Sequence, residues 1–348
     1  MFGYSLILDG ETSLYHSGSS PQGGACPTIA HAILSSPLSL GLLLTVDLKI
    51  VKTVRVGDNE SAQLAVVQIQ QVTPSDSLPT GLNLVAKIYD PLYFSHIQDD
   101  VEPFLCVDRD YSRETATYTA LSKSNLPGTV IPRYFGSYTL QWPVTMSETV
   151  TTRSVRLILI EYVPGASLQQ LNPADFSQQC RKTLMKAVID AETLLYTHGV
   201  QHRDLHPRNI VVLNDTIAKA SDAWDFRIVD FGHSVLGRAP LPELEGPEYL
   251  SGVPISPLLR WHKAWRRFEF FSDWIDWDWQ SWLECVYGHT RASLTEHMVS
   301  TWLPAILTEP REITPGCLPF TNTGLRAFCK NVAQAAALLH VVSRIYVP

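Results

Sequence analysis

The chain has 348 residues, about two to three times the commonest domain length, and 45% of them are apolar, so it can bury a sizeable core as one large domain or two smaller ones. Asp, Glu, Lys and Arg together make up only 18%, below the roughly 25% usual for soluble domains, which excludes disorder over most of the chain. With 27 basic and 34 acidic residues the net charge is −7, so no broad basic surface serves a nucleic-acid backbone and no nucleic-acid partner is expected.

The six cysteines are scattered, with no CxxC pair and no zinc-ligand spacing, and a reduced intracellular compartment is the simplest reading. The N-terminus carries an acidic residue where a signal peptide needs a basic segment followed by an apolar run. The apolar stretch from Ile33 to Val46 is 14 residues long and interrupted by Pro37 and Gly41, too short to span a bilayer. A soluble, cytoplasmic protein with no membrane partner is therefore expected. Residues 1–41, rich in Gly, Ser and Pro (HSGSSPQGGACP), read as a flexible N-terminal arm.

From Leu44 the texture changes to strand-like alternation. LTVDLKIVKTVRV, AQLAVVQIQQV and LNLVAKIYD, separated by polar turns, predict an antiparallel meander. A helix is expected between about Asp108 and Ser124, where Tyr111, Thr115, Tyr118 and Leu121 recur at three- and four-residue spacing. RLILIEYV, residues 156–163, predicts a central strand that ends in a linker at PGAS. Beyond it, Asp175 followed by Gln178 resembles a capping box, and Leu184, Val188, Ala191 and Leu195 trace one helical face until Gly199. NIVVLND and DFRIVDF predict two short strands around a long turn, and the last third is helical. The expected organisation is a β-rich lobe over 42–163 and a helical lobe over 164–348.

The segment VQHRDLHPRNIV from Val200, with Val-Asp-Phe-Gly at 229–232, holds the densest chemistry. Phosphoryl transfer from ATP needs a carboxylate beside the acceptor hydroxyl, oxygen ligands for Mg²⁺ and a cation on the nucleotide phosphates. H-R-D-x-x-x-x-N supplies Asp204 for the hydroxyl and Asn209 for the metal in one loop, and Asp230 adds the second hard oxygen ligand. Isolated Asp and Asn residues are commonly turn formers, but their order and spacing here fit the phosphotransfer template.

These motifs resemble the protein-kinase superfamily over roughly residues 42–290, which implies a bilobal α+β protein-kinase-like fold with an antiparallel sheet in the N-lobe and a mostly helical C-lobe. Val85-Ala-Lys-Ile is similar to the family's V-A-x-K, which puts Lys87 on the α- and β-phosphates, with Glu114 as its helix partner. The bland alternatives are a solvated edge lysine and an exposed helix charge. By the same resemblance, backbone groups from Glu161, Tyr162 and Val163 meet the adenine edge. Asp204-Leu-His-Pro looks like the aminoglycoside and choline phosphotransferase branch, and KIYDPLYF, YSRE and LILIEY look like a group of fungal kinase-like proteins. The implied activity is an ATP- and Mg²⁺-dependent kinase acting on a hydroxyl acceptor, a small molecule in preference to a protein.

Departures from the pattern carry the alternative. The phosphate turn at 56–61 has one glycine, Gly57, and two carboxylates, which repel phosphates. A pseudokinase serving as a nucleotide-sensing or protein-interaction module is thus the second reading. Gly246-Pro247-Glu248 partly matches the end of an activation segment, with Ser234 the only hydroxyl residue before Tyr249, so control by loop phosphorylation is not expected. His206 reads either as a donor to the γ-phosphate or as loop packing. Arg208 reads either as an acceptor-side arginine or as a loop salt bridge. Six of nine tryptophans, Trp261, Trp265, Trp274, Trp277, Trp279 and Trp282, fall in one 22-residue window, either a core or an aromatic acceptor pocket. Asp276 or Asp278 in that run is a candidate brace for the catalytic loop.

Overall fold

Period-2 alternation from Leu44 onward becomes three adjacent strands, β4 (Leu44–Arg55), β5 (Gln63–Thr73) and β6 (Asn83–Tyr89), each within two residues of the expected run. The computed structural model describes residues 7–8, 12–13 and 29–34, then 44–94 except 58–59 and 74–77, then 102–237 except 147–148, 215 and 217–223, and 255–299 except 264–265 and 297. The chain divides into two units, Met1–Tyr162 with Phe231–His233, and Val163–Asp230 with Ser234–Pro348.

In the first unit the meander joins β3 (Ile29–Leu34), β7 (Tyr134–Met146) and β8 (Thr149–Glu161) in a closed antiparallel barrel of order β3-β4-β5-β6-β8-β7. A two-residue strand pair, β1 (Ile7–Leu8) and β2 (Thr12–Ser13), precedes it. Strand β3 corrects the expectation of an arm through residue 41. IAHAIL pairs with β4 from Ile29↔Lys49 to Leu34↔Leu44 and with β7 at Ala32↔Leu140, so it closes the barrel and removes both free edges. The interior is filled by alternate residues, among them Val46, Leu48, Val67, Ile69, Leu84, Ala86, Ile88, Leu157 and Leu159, all buried.

That alternation decides where the lysine goes. Leu84, Ala86 and Ile88 point into the barrel, so Lys87 and Tyr89 must point to its outer face. The helix α1 (Pro103–Leu121) packs along that face, against β6, β7 and β8. It starts five residues before the expected helix because Glu102 caps it: its carboxylate accepts from Phe104 N and Leu105 N at 3.3 and 2.6 Å, and Pro103 occupies the first turn. Val107, Asp110, Tyr111, Glu114, Thr117, Tyr118 and Leu121 form its buried stripe.

The second unit is mainly helical. The helix α2 (Gln178–Thr197) buries Leu184, Val188, Ala191 and Leu195 as expected, but its cap is Ser177, whose hydroxyl accepts from Cys180 N at 3.1 Å. Asp175 belongs to the preceding 3-10 turn, Pro173–Asp175, capped by Asn172, so the capping box is corrected to a simple serine cap. Gly199 ends the helix with φ +76°, the left-handed conformation glycine adopts without strain. A three-stranded sheet follows, β9 (Gly165–Ser167), β11 (Ile210–Leu213) and β12 (Phe226–Ile228), with a small pair, β10 (Val200–Gln201) and β13 (Val235–Leu236). Gly165 is obligatory here, because a Cβ would lie 1.9 Å from Val212 O. The α-helices α3 (Pro257–Arg260), α4 (Arg266–Phe270) and α5 (Trp279–Tyr287) follow, with 3-10 turns at Ser272–Trp274 and Gly288–Ser293. No helix among the described residues is long and apolar enough to cross a membrane.

Candidate functional site

In the first unit, Lys87 Nζ lies 2.5 Å from Glu114 Oε2, with side-chain exposures of 5% and 0%. These two, placed by strand alternation and helix periodicity, meet as the resemblance implied. Tyr89, two residues along the same strand face, donates its hydroxyl to the same Glu114 oxygen at 2.5 Å and stands edge-on to Tyr111 at 5.4 Å. Sequence reading passed over Tyr89, although its position two residues after Lys87 on a strand was signal enough.

At the phosphate turn, Gly57 N donates to Gln63 Oε1 at 2.7 Å, and Gln63 Nε2 donates back to Gly57 O at 2.9 Å. The glycine expected to meet phosphates thus has its N–H committed to the buried Gln63 side chain. At the end of β8, Glu161 N donates to Arg133 O at 2.8 Å and Glu161 Oε2 accepts from Arg133 N at 3.0 Å. Lys52 Nζ reaches the Tyr162 hydroxyl at 3.3 Å and lies 5.4 Å from its ring centre. Val163 begins the second unit.

The loop of the expected catalytic Asp204 lies between β10 and β11. Asp204 is ringed by donors: Arg208 Nη2 reaches its two oxygens at 2.7 and 2.8 Å, Asn209 Nδ2 reaches Oδ2 at 2.9 Å, and His206 Nε2 stands 3.2 Å from Oδ1. Arg208 is therefore a salt-bridge partner of the expected catalytic aspartate itself. His206 packs its ring on Phe270 at 3.6 Å between centres while touching Asp204, the geometry of its loop-packing reading. Asn209 Nδ2 also donates to Asp204 O at 2.8 Å, and among the described residues its Oδ1 has no hydrogen bond.

Arg203 and Asp230, with φ of 59° and 69°, are the two non-glycine residues in the left-handed region among the described residues. Such backbone strain persists where surrounding contacts hold it, and it concentrates at functional loops. Here those contacts are visible: His202 Nε2 donates to Val229 O at 2.9 Å, and Val229 N donates to Asn209 O at 2.9 Å, tying the segment before Asp230 to the catalytic loop. Burial holds the His202 imidazole below its ordinary pKa, against the pull of the Val229 carbonyl and of Asp230 and Asp204, so it acts as a neutral donor. Phe231, fully buried, packs edge-on to Tyr118 at 5.3 Å in the first unit.

No group of three or more His, Cys, Asp or Glu among the described residues could cage a metal ion. Mg²⁺ in phosphotransfer does not need one, because it takes one or two protein oxygens and completes its shell with phosphate and water. Asn209 Oδ1 and the Asp230 carboxylate are hard oxygen donors of that kind, and the donor set fits.

The tryptophan run is chiefly core. Trp261, Trp274 and Trp279 are buried, and Trp279 Nε1 donates to Trp261 O at 2.9 Å. Trp261 Nε1 in turn donates to Glu192 Oε2 at 3.1 Å, where Arg260 and Arg267 also pair, at 3.2 and 3.1 Å. Burial alone would raise the Glu192 pKa, but the two arginines and the indole hold it below the usual value. Of the candidate braces, Asp276 pairs with Arg181 at 2.6 Å and Asp278 caps α5 through Ser281 N at 3.3 Å. Trp265 and the Gly246-Pro247-Glu248 match lie outside the described residues.

Residues 140–242, which run from the last barrel hairpin through the catalytic loop and Asp230, match the protein kinase domain family. The chain is 31% identical over 127 residues to serine/threonine-protein kinase 17A of Oryctolagus cuniculus, covering 33% of this chain and 31% of that protein. It is 29% identical over 120 residues to the death-associated protein kinase related protein of Drosophila melanogaster, covering 33% and 18%, and 44% identical over 70 residues to serine/threonine-protein kinase cds1 of Schizosaccharomyces pombe, covering 19% and 15%. The chain thus spans less than a third of the length of these curated relatives. The barrel with its outer helix, the mainly helical second unit and these matches together give the chain a protein-kinase-like α+β fold.

Proposed function

We propose that the chain is an ATP- and Mg²⁺-dependent phosphotransferase acting on a hydroxyl acceptor, a small molecule in preference to a protein, in the cytoplasm. The observation that carries this reading is the Asp204 carboxylate, held in direction by Arg208, His206 and Asn209 on a strained loop. Asp204 orients the acceptor hydroxyl. The acceptor oxygen forms a bond to the γ-phosphorus as the bond from that phosphorus to the β–γ bridging oxygen breaks. ADP leaves with that electron pair, and the acceptor's proton passes to Asp204. Lys87, fixed by Glu114, supplies the cation for the α- and β-phosphates, and backbone groups of Tyr162 and Val163, with the carbonyl of Glu161, whose N–H is committed to Arg133 O, meet the adenine. Asn209 and Asp230 would hold Mg²⁺, which when bound offsets charge on the phosphates. Gly57 has no part in the proposal, because its N–H already donates within the turn.

The preference for a small acceptor is supported by the Asp204-Leu-His-Pro pattern, similar to aminoglycoside and choline phosphotransferases. ADP release from purified chain, with Mg·ATP and either small alcohols or proteins, tests the reading. Asp204→Asn is expected to cut turnover by about 10²–10⁴-fold with nucleotide binding kept. Absence of any nucleotide-induced thermal stabilisation would sink the proposal and favour a non-catalytic interaction module.

A further inference from the structure

Strand β4 carries two cations that simple alternation would turn into the barrel. Thr53 stands opposite Ala65, whose side chain fills the interior, so Arg55, two residues on, would share that inner face. The pairing shifts between Thr53 and Arg55, with Val54 the extra residue, and Arg55 stands opposite Leu64 instead of Gln63. A bulge of this kind re-aims the side chains that follow it to the other face. The same device lies between Ile50, which packs on the barrel core, and Lys52, which stands opposite Val66. The inserted residues, Val51 and Val54, are 46% and 54% exposed, so they add little to the core.

Register then fixes what Arg55 accompanies. Leu64 stands opposite both Arg55 and Lys87, so the three form one cross-strand row on the outer face of the barrel. With neighbouring strands about 4.8 Å apart, the Cα atoms of the two cations are about 10 Å apart. The half-buried Leu64 lies between them. Arg55 Nη1 is 3.4 Å from Glu60 Oε2, with side-chain exposures of 35% and 39%, a pair of the kind that contributes little to stability and can be exchanged. It also offsets one carboxylate of the phosphate turn. The backbone of that turn is less available, because the buried Gln63 side chain holds both Gly57 N and Gly57 O.

We propose that Arg55 is a second phosphate-binding residue, placed by the bulge at Val54, and that it grips the terminal phosphates of the nucleotide in place of glycine-loop N–H groups. The inference rests on the nucleotide site of the phosphotransferase reading. Lys87 meets the phosphate chain from one end of the row and Arg55 from the other, exchanging Glu60 Oε2 for phosphate oxygens. The planar guanidinium fork matches two oxygens of one phosphate, where an ammonium is a point charge. Arg55 touches phosphates and not the base, so it sets the preference for phosphate number and leaves adenosine unaffected.

Calorimetric titration of the full chain with Mg·ATP, adenosine and inorganic tripolyphosphate separates these contacts. Arg55→Ala is expected to weaken ATP and tripolyphosphate by about tenfold and to leave adenosine within about twofold of the parent. Arg55→Lys, which keeps the charge and loses the fork, should weaken ATP by about threefold, and it carries the test if Arg55→Ala fails to fold. An unchanged thermal midpoint without ligand verifies the fold of each variant. Added salt should lower the parent's ATP affinity more steeply than that of Arg55→Ala. ATP bound equally by parent and variants, or adenosine weakened as much as ATP, overturns the inference. The first of these results, with ATP binding abolished in Lys87→Met, would leave the phosphotransferase reading standing. Tripolyphosphate bound through Arg55, with no ADP formed from Mg·ATP and any hydroxyl acceptor, would keep the phosphate site and overturn that reading. No binding of ATP or tripolyphosphate by the parent overturns both.

Discussion

Lys87 and Glu114 keep 5% and 0% of their side chains exposed, whereas Asp204 keeps 18% and its partner Arg208 46%. The first pair sits between a helix and the outer face of a barrel, withdrawn from water; the second sits on a loop where Arg208 is open to solvent although Asn209 is buried. A buried ion pair is costly to make and more costly to break, since removing one partner leaves a desolvated charge. A half-exposed pair contributes little to stability and can yield its contacts to a substrate. The two regions should therefore answer mutation differently: the lysine pair through the fold, the aspartate loop through turnover.

The largest expected effect on stability tests that contrast. Glu114→Ala removes the carboxylate beside Lys87 Nζ and should cost about 3–5 kcal/mol in denaturant unfolding. Lys87→Met added to it should recover much of the loss while leaving nucleotide-induced stabilisation absent. Arg208→Ala, by comparison, should leave unfolding within about 1 kcal/mol of the parent. If Glu114→Ala is no worse than Arg208→Ala, the contrast between a structural and an exchangeable cluster fails.

The same contrast governs what the sequence made legible. Lys87, Asp204, Asn209 and Asp230 could be found because short-range spacing fixes each of them: a strand alternation, a tight loop, a hairpin. Strands β4 to β6 were legible for the same reason, as each alternation must bury one face. Contacts closed over long separations were not. Asp90 pairs with Arg153 at 2.6 and 2.8 Å across 63 residues, and nothing local announces it. Asp175 and Ser177 are both acceptable caps by type, and only the geometry of the first turn chooses Ser177. Strand β3 was hidden because its Gly- and Pro-rich surroundings read as an arm, while its reason for forming is the barrel edge offered by β4 and β7. No local spacing singles out Glu192, and only folding brings Arg260, Trp261 and Arg267 to it.

A smaller effect sharpens the buried side of the comparison. Tyr89 donates to the oxygen that Lys87 also contacts, so Tyr89→Phe removes a hydrogen bond to a charged group while preserving the ring's packing on Tyr111. The expected cost is about 1.5–3 kcal/mol. If Tyr89 positions the pair for nucleotide, the apparent KM for ATP rises while the KM for the acceptor stays at the parent value. A fall in the thermal midpoint with both KM values unchanged would reduce Tyr89 to a packing role.

The smallest expected effect concerns acid. His202 is held neutral by burial, so the folded state resists a proton that the unfolded state binds near 6.5. As pH falls below 6.5 the unfolded chain therefore binds more protons, and stability declines from that point toward the depressed folded value. Glu192 behaves as a depressed carboxylate: its contribution is complete above the ordinary value of 4.5 and is lost as pH falls from there through its folded pKa. The two windows are separable. His202→Gln keeps a side-chain N–H that can serve the Val229 carbonyl but cannot titrate, so from 6.5 down to 4.5 the thermal midpoint should fall less steeply than in the parent, the remaining slope coming from His262, which burial also holds below its ordinary value, and then fall as in the parent. If the variant declines through the upper window as steeply as the parent, the neutral histidine is not what ties the catalytic loop to the strand before Asp230.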